Sequence, residues 1–192
     1  MKKKRNKKKL KTKSLNSFQK EKLYFSILIG FALVFGFLMY AIGVNLQKVE
    51  VTEEMSPFES SLNKMVSGHP ITKMISEIVQ KDKRVASFLV AIAKKESNWG
   101  KYSPKKNGRD CYNYWGYRGT YNQTPSGYSC FDSPEQAVDV VGNRIGELID
   151  QQIDTPQKMI VWKCGKSCDG HSGTSVKKWI SDVDYYFGRI YN

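Results

Sequence analysis

The sequence predicts a mostly α-helical outer domain with a small loop or hairpin lobe, preceded by one transmembrane helix, and three observations carry that expectation. Apolar residues recur at helical spacing in four separate segments beyond residue 70, a charge-free apolar run extends from Leu23 to Leu46, and the stretch from Asp110 to Phe131 is rich in Gly, Tyr, Asn and Ser without any helical period. A typical domain uses roughly 100 to 150 residues, so a chain of 192 suits one such unit.

Charge is concentrated at the start. Residues 1 to 22 hold eleven Lys or Arg and one Glu, so +10 of the formal +13 lies there and +3 in everything that follows. A run such as Lys2-Lys3-Lys4-Arg5-Asn6-Lys7-Lys8-Lys9 in isolation suits a nucleic-acid arm. The apolar run directly after it favours anionic lipid headgroups as the partner instead, with no nucleic acid involved. That run, residues 23 to 46, is long enough to span a bilayer as a helix, since roughly 20 apolar residues suffice. Tyr24 and Tyr40 lie near its ends, where amphipathic rings sit at the interface. The Lys-rich side is predicted to stay in the cytoplasm, leaving a single-pass protein of the cytoplasmic membrane with its C-terminal domain outside. A cleaved signal peptide is the alternative, but the run exceeds the usual 7 to 15 residues.

Residues 47 to 69 are polar and mixed, with Pro57 and Gly68, and are expected to form a linker or stalk, the folded domain running from 70 to 192. Its first helix carries Ile71, Met74, Ile75 and Ile78 after Pro70, where proline suits the first turn. The second carries Val85, Phe88, Leu89 and Ile92 in the i, i+3, i+4, i+7 pattern. The third has the clearest start: Ser133 as N-cap, Pro134 at N1 and Gln136 at N3, followed by Val138, Val141, Ile145 and Leu148 on one face. Thr155-Pro156 opens a short further helix with Met159 and Ile160. The last starts near Thr174 and runs through Trp179, Ile180, Val183, Phe187 and Ile190.

All four cysteines, Cys111, Cys130, Cys164 and Cys168, fall in the outer part, and an even count there indicates two disulfides. Three pairings are open; proximity in sequence favours Cys111 with Cys130 and Cys164 with Cys168. A zinc site is the alternative, since His171 follows Cys168, but the spacing matches no common structural zinc pattern, and no metal is assigned.

The apolar stripe of the second helix, continued by one turn, reaches Glu96, so a carboxyl stands where a core residue is due. Partial desolvation and the negative end of the helix dipole, with Gly100 as C-cap, both favour the protonated form at such a position. A carboxylic acid that keeps its proton near neutral pH is what glycosidic cleavage requires, because the leaving oxygen must be protonated as the bond breaks. The bland alternative is a helix-end acid paired with Lys94, Lys95 or Lys101 on a solvated surface.

The run Ala91-Ile92-Ala93-Lys94-Lys95-Glu96-Ser97-Asn98-Trp99-Gly100 resembles the catalytic helix of the lysozyme-like superfamily, in which bacterial lytic transglycosylases and autolysin-type N-acetylglucosaminidases carry a Glu-Ser ending. Tyr112-Asn113-Tyr114-Trp115-Gly116-Tyr117-Arg118-Gly119 is similar to the Asn-x-Phe/Trp-Gly-Ile-Lys-Gly segment of the glucosaminidases, and Phe131-Asp132-Ser133-Pro134-Glu135-Gln136-Ala137 to their aromatic, Asp-Ser, helix element. The blocks stand in the family's order over roughly residues 70 to 150. The Gly-Leu-Met-Gln segment of many soluble transglycosylases is absent.

The resemblance implies a lysozyme-like fold, with Glu96 as general acid and then base, acting without a cofactor on the β-1,4 glycan strands of peptidoglycan. A second carboxylate is undecided: Asp110 and Asp132 flank the loop, and Asp132 serves equally well as a turn residue before Ser133-Pro134. A lone acid suits the transglycosylase route, in which the sugar's own acetamido or hydroxyl group completes the reaction, so hydrolysis and transglycosylation both stay open. Trp99, Asn113, Tyr114, Trp115 and Tyr117 are candidate sugar-binding residues, their flat faces and polar tips suiting pyranose rings. Tyr185 or Tyr186 joins them, because the resemblance to transglycosylases implies a tyrosine near the acid from the final helix; Tyr186 lies nearer the face of Val183, Phe187 and Ile190, and Tyr185 points more outward. The alternative function is a non-catalytic module of the same fold that binds glycan or an envelope partner.

Overall fold

The computed structural model describes residues 17–47 and 55–192, in two compact units divided between Glu54 and Met55. Most of the basic tail (1–16) and part of the expected linker (48–54) lie outside the described residues. In the first unit, helix α1 spans Ser17–Gln47. Its stretch Lys20–Tyr40 is long and apolar enough to cross a membrane, starting and ending somewhat earlier than the 23 to 46 expected.

The second unit is mostly helical and larger than the sequence suggested. Helix α2 spans Pro57–Met65, inside the segment assigned to the stalk. Ser56 caps it by accepting from the Glu59 amide at 3.1 Å, and Leu62 and the following Val66 are fully buried. The linker expectation is therefore corrected for 55–69: an amphipathic helix with a cap buries its apolar side in the domain core. A 3₁₀ turn over Pro70–Met74 leads into α3, Ile75–Ile78, which buries Ile71, Met74, Ile75 and Ile78 as their spacing predicted.

Helix α4, Lys83–Ser97, is the central element. Asp82 caps it, accepting from the Arg84 amide at 2.8 Å. Every residue from Val85 to Ala93 is buried, so α4 is enclosed all round rather than on the one stripe read from the sequence. Helix α7, Gly173–Tyr191, runs against it and buries Trp179, Val183, Phe187 and Ile190. Helix α5, Pro134–Asp150, packs on it from another side. The predicted cap of α5 is present: Ser133 Oγ accepts from the Gln136 amide at 3.2 Å, while Gln136 Oε1 accepts from the Asp132 amide at 2.7 Å. The short element after Pro156 is a 3₁₀ turn, Lys158–Ile160, continued by α6, Val161–Cys164.

The only strands among the described residues are β1, Lys105–Lys106, and β2, Arg109–Asp110, paired antiparallel. Asn107 and Gly108 turn between them with φ of 53° and 77°, the left-handed pair a two-residue hairpin needs. The hairpin thus precedes the irregular lobe instead of lying within it. Disulfides join Cys111 to Cys130 and Cys164 to Cys168, the pairing that proximity favoured. The Phe131 amide also donates to the Cys111 carbonyl at 3.0 Å, so both ends of the 111–131 lobe are fastened together.

Candidate active site

The end of α4 builds the site. The helix does not stop at Gly100 as expected; Asn98 is the cap, with φ of 50°, and Trp99 (56°) and Gly100 (90°) continue in the left-handed region. Such a run is uncommon for non-glycine residues, and dense hydrogen bonding holds it. The Trp99 amide donates to the Ala93 carbonyl at 3.0 Å, and its indole Nε1 to the Val90 carbonyl at 3.0 Å. Lys94 Nζ donates to Asn98 Oδ1 at 2.7 Å. At Gly100 a Cβ would sit 2.7 Å from the Tyr114 ring, so only glycine fits.

Ser97 joins this helix end to the 114–117 segment: its hydroxyl donates to the Tyr114 carbonyl at 2.7 Å and accepts from the Gly100 amide at 2.8 Å. Asn113 closes the same segment, its side-chain amide donating to the Tyr117 and Ser129 carbonyls at 2.8 Å each and its oxygen accepting from the Tyr117 amide at 2.9 Å. Together they bring Gly116 to Glu96. A Cβ at Gly116, where φ is 65°, would lie 3.3 Å from Glu96 Oε2.

Glu96 itself is exposed, which corrects the expectation of a desolvated acid. Its Oε1 accepts from Trp179 Nε1 of α7 at 2.7 Å. Neither flanking lysine pairs with it: Lys95 binds Asp182 at 2.6 Å, and the Lys94 ammonium stacks 4.1 Å over the Trp99 ring. The carboxyl faces a cleft of about 150 Å³ that is lined also by Ser97, Tyr102, Pro104, Asn113, Gly116 and Tyr128. Glu96 is its one carboxylate among the described residues.

The other predicted site residues divide. Trp99, Asn113, Tyr114 and Trp115 are buried at 5% exposure or less; Trp99, Tyr114 and Trp115 belong to the framework, while Asn113 both braces the 113–117 segment and borders the Glu96 cleft. Trp115 Nε1 donates to the Leu89 carbonyl at 2.7 Å, in the middle of α4. The Tyr114 hydroxyl donates to Asp110 Oδ2 at 3.0 Å; burial first, and the neighbouring Asp110 carboxylate second, push the phenol well above its ordinary range. Asp110 is occupied within the fold, accepting also from Ser103 Oγ at 2.8 Å and the Tyr112 amide at 2.9 Å. Asp132 is held by the Tyr121 hydroxyl and by Arg109 at 3.3 Å, and those hydrogen bonds, Tyr121's first, lower its carboxyl below the ordinary range. Neither aspartate lines the Glu96 cleft.

Tyr186 is half-buried and meets the Trp99 ring edge-on at 5.5 Å, away from the cleft lining. The final helix reaches the acid through Trp179 instead. That role was hidden because Trp179 stands on the apolar stripe of α7 and so counts as core; the indole N–H is what set it apart from the stripe's aliphatic members. Tyr102 was likewise missed, standing two residues beyond the Glu96–Gly100 block and outside every block that carried the resemblance. Tyr117 stacks 5.9 Å from the Trp162 ring and borders a second, larger pocket of about 510 Å³.

Comparison with protein-family models, with curated proteins and with solved structures finds no match to this chain.

Proposed function

We propose that this protein is a membrane-anchored enzyme that cleaves the glycan strands of peptidoglycan, with Glu96 as its acid and a lysozyme-like arrangement of helices around it. The observation that carries the reading is one carboxyl at the end of a buried helix, free of any ion pair among the described residues, oriented by the Trp179 indole and open to a cleft floored by Gly116. In the first step the Glu96 carboxyl acts as general acid, giving a proton to the glycosidic oxygen as the carbon–oxygen bond breaks. The resulting carboxylate then takes a proton from the incoming water, or from the sugar's own hydroxyl in a transglycosylase. With no second carboxylate in the cleft, the substrate's acetamido or hydroxyl group is left to stabilise the reacting carbon. Helix α1 serves as the anchor, the basic tail lies at the cytoplasmic face against anionic lipid, and the domain faces the wall.

The test is digestion of purified peptidoglycan by the full chain in detergent, wild type beside Glu96→Gln, with mass analysis of released sugars. Loss of a general acid removes roughly 10²–10⁴-fold of rate, so release is expected to vanish in the variant. Anhydro ends identify a transglycosylase and reducing N-acetylglucosamine ends a glucosaminidase. Release that is absent, or unaffected by Glu96→Gln, sinks the enzyme reading and leaves a binding module.

A further inference from the structure

The 510 Å³ pocket is chemically unlike the cleft beside it. Arg118, Arg144 and Lys166 line it and no carboxylate does. Trp162 and Tyr117, both half-buried, supply aromatic surface, and Leu148 and Ile153 an apolar patch. Two of the cations are positioned by the fold. Arg118 donates to the Ser126 carbonyl at 2.7 Å and lies 4.0 Å over the Tyr128 ring; Arg144 donates to Glu147 at 2.8 Å. Each guanidinium has five N–H donors, so both keep several for a ligand. Lys166 makes no ion pair or hydrogen bond among the described residues, and the Cys164–Cys168 disulfide closes the short loop that carries it. Glu147 offsets part of the Arg144 charge, yet Arg118 and Lys166 with the remaining Arg144 donors around a concavity of this size select an anion, and the apolar surface selects one with a carbon skeleton. Gly116 borders both this pocket and the Glu96 cleft, so a ligand in one extends toward the other.

We infer that the pocket is a subsite for the carboxylate-bearing peptide that peptidoglycan carries on alternate sugars. It would make the acidic substituent part of what is recognised and distinguish peptide-bearing strands from uncharged glycans. The inference rests on the peptidoglycan reading for the identity of the ligand, while the pocket's preference for a peptide carboxylate is measurable without any cleavage.

The experiment titrates the full chain in detergent micelles with the free tripeptide L-alanyl-γ-D-glutamyl-L-lysine and with the same peptide amidated at its carboxyl groups. Wild type is compared with the Arg144→Gln/Lys166→Gln double variant, calorimetry giving the affinity and the disulfides and melting curve confirming that the variant is folded. The expected result is binding of the acidic peptide that weakens about tenfold or more on amidation and again in the variant, as charge-assisted hydrogen bonds are lost. Equal binding of both peptides, equal binding by both proteins, or no binding at all overturns the subsite. Glu96-dependent release of sugars from peptidoglycan is scored separately, so loss of the enzyme reading and loss of the subsite are distinguishable.

Discussion

Trp179 decides how the Glu96 carboxyl is aimed, since its indole N–H is the one donor that reaches it from another element among the described residues. The same side chain is buried at 1% exposure and fills space between α4 and α7. Trp179→Phe separates the two duties by retaining an aromatic filler and removing the donor. If the hydrogen bond orients the acid, kcat on peptidoglycan falls about tenfold, the order of a hydrogen bond to a charged group, while KM stays unchanged and the far-UV spectrum keeps its native shape. An unchanged kcat would mean that Trp179 only packs. Ser97 and Asn113 act one step further back: neither reaches into the cleft with a free polar atom, yet their hydrogen bonds set where Gly116 lies against Glu96. The Glu-Ser pair therefore has a physical division of labour, the first residue facing solvent and the second tying the helix end to the adjoining loop.

At the scale of elements, α4 and α7 are clamped beside the site by Lys95 of α4, which binds Asp182 of α7 at 2.6 Å, while Lys178 holds the same carboxylate from within α7 at 3.1 Å. Burial opposes ionisation of Asp182, but the hydrogen bonds from Lys95 and then Lys178 prevail and hold its carboxyl below the ordinary range. A carboxyl lowered in the folded state adds stability that is present above the unfolded value, near pH 4, and is lost as pH falls through the lower folded value. Asp182→Asn is accordingly expected to flatten the acid limb of a urea-stability curve, with the difference from wild type largest above pH 4 and closing below it. A constant difference at every pH would show that the clamp does not depend on the charge. Much of this level was legible in sequence. The i, i+3, i+4, i+7 spacing of Ile71 to Ile78 and the i, i+3, i+7, i+10 spacing of Val138 to Leu148 gave the buried faces, and Ser133-Pro134-x-Gln136 gave the start of α5 to the residue. Tyr114 and Trp115 are buried instead of lining a groove, which the sequence did not show because composition cannot tell a ring on a groove wall from a ring under a loop. Trp115 and Tyr114 are resolved only by the long-range bonds to Leu89 and Asp110. Asn107-Gly108 was a hairpin signal that the adjoining Gly- and Tyr-rich stretch obscured.

For the whole second unit, the boundary at Met55 instead of Pro70 changes what must be present for the site to form. The missed signal was local: Ser56-x-x-Glu59 is a capping-box pattern, and Phe58, Leu62, Met65 and Val66 follow at helical spacing. Helix α2 buries Leu62 fully, the residue after it buries Val66, and the Val66 carbonyl accepts from Thr72 Oγ1 at 3.1 Å. The chain just beyond reaches the site, where the Ile71 amide donates to the Trp99 carbonyl at 3.1 Å and His69 meets the Trp99 ring edge-on at 4.9 Å. Leu62 and Val66 together contribute roughly 3–5 kcal/mol by burial, a large share of a small domain's roughly 5–15 kcal/mol. A fragment beginning at residue 70 would therefore lose that amount relative to one beginning at 55, and its exposed core face would favour aggregation. Urea unfolding of the two fragments, followed by tryptophan fluorescence, tests this. Equal midpoints would make α2 a passive extension of the linker, whereas a clearly lower midpoint for 70–192 would place α2 among the elements that hold the Trp99 turn, and with it the end of α4, in place.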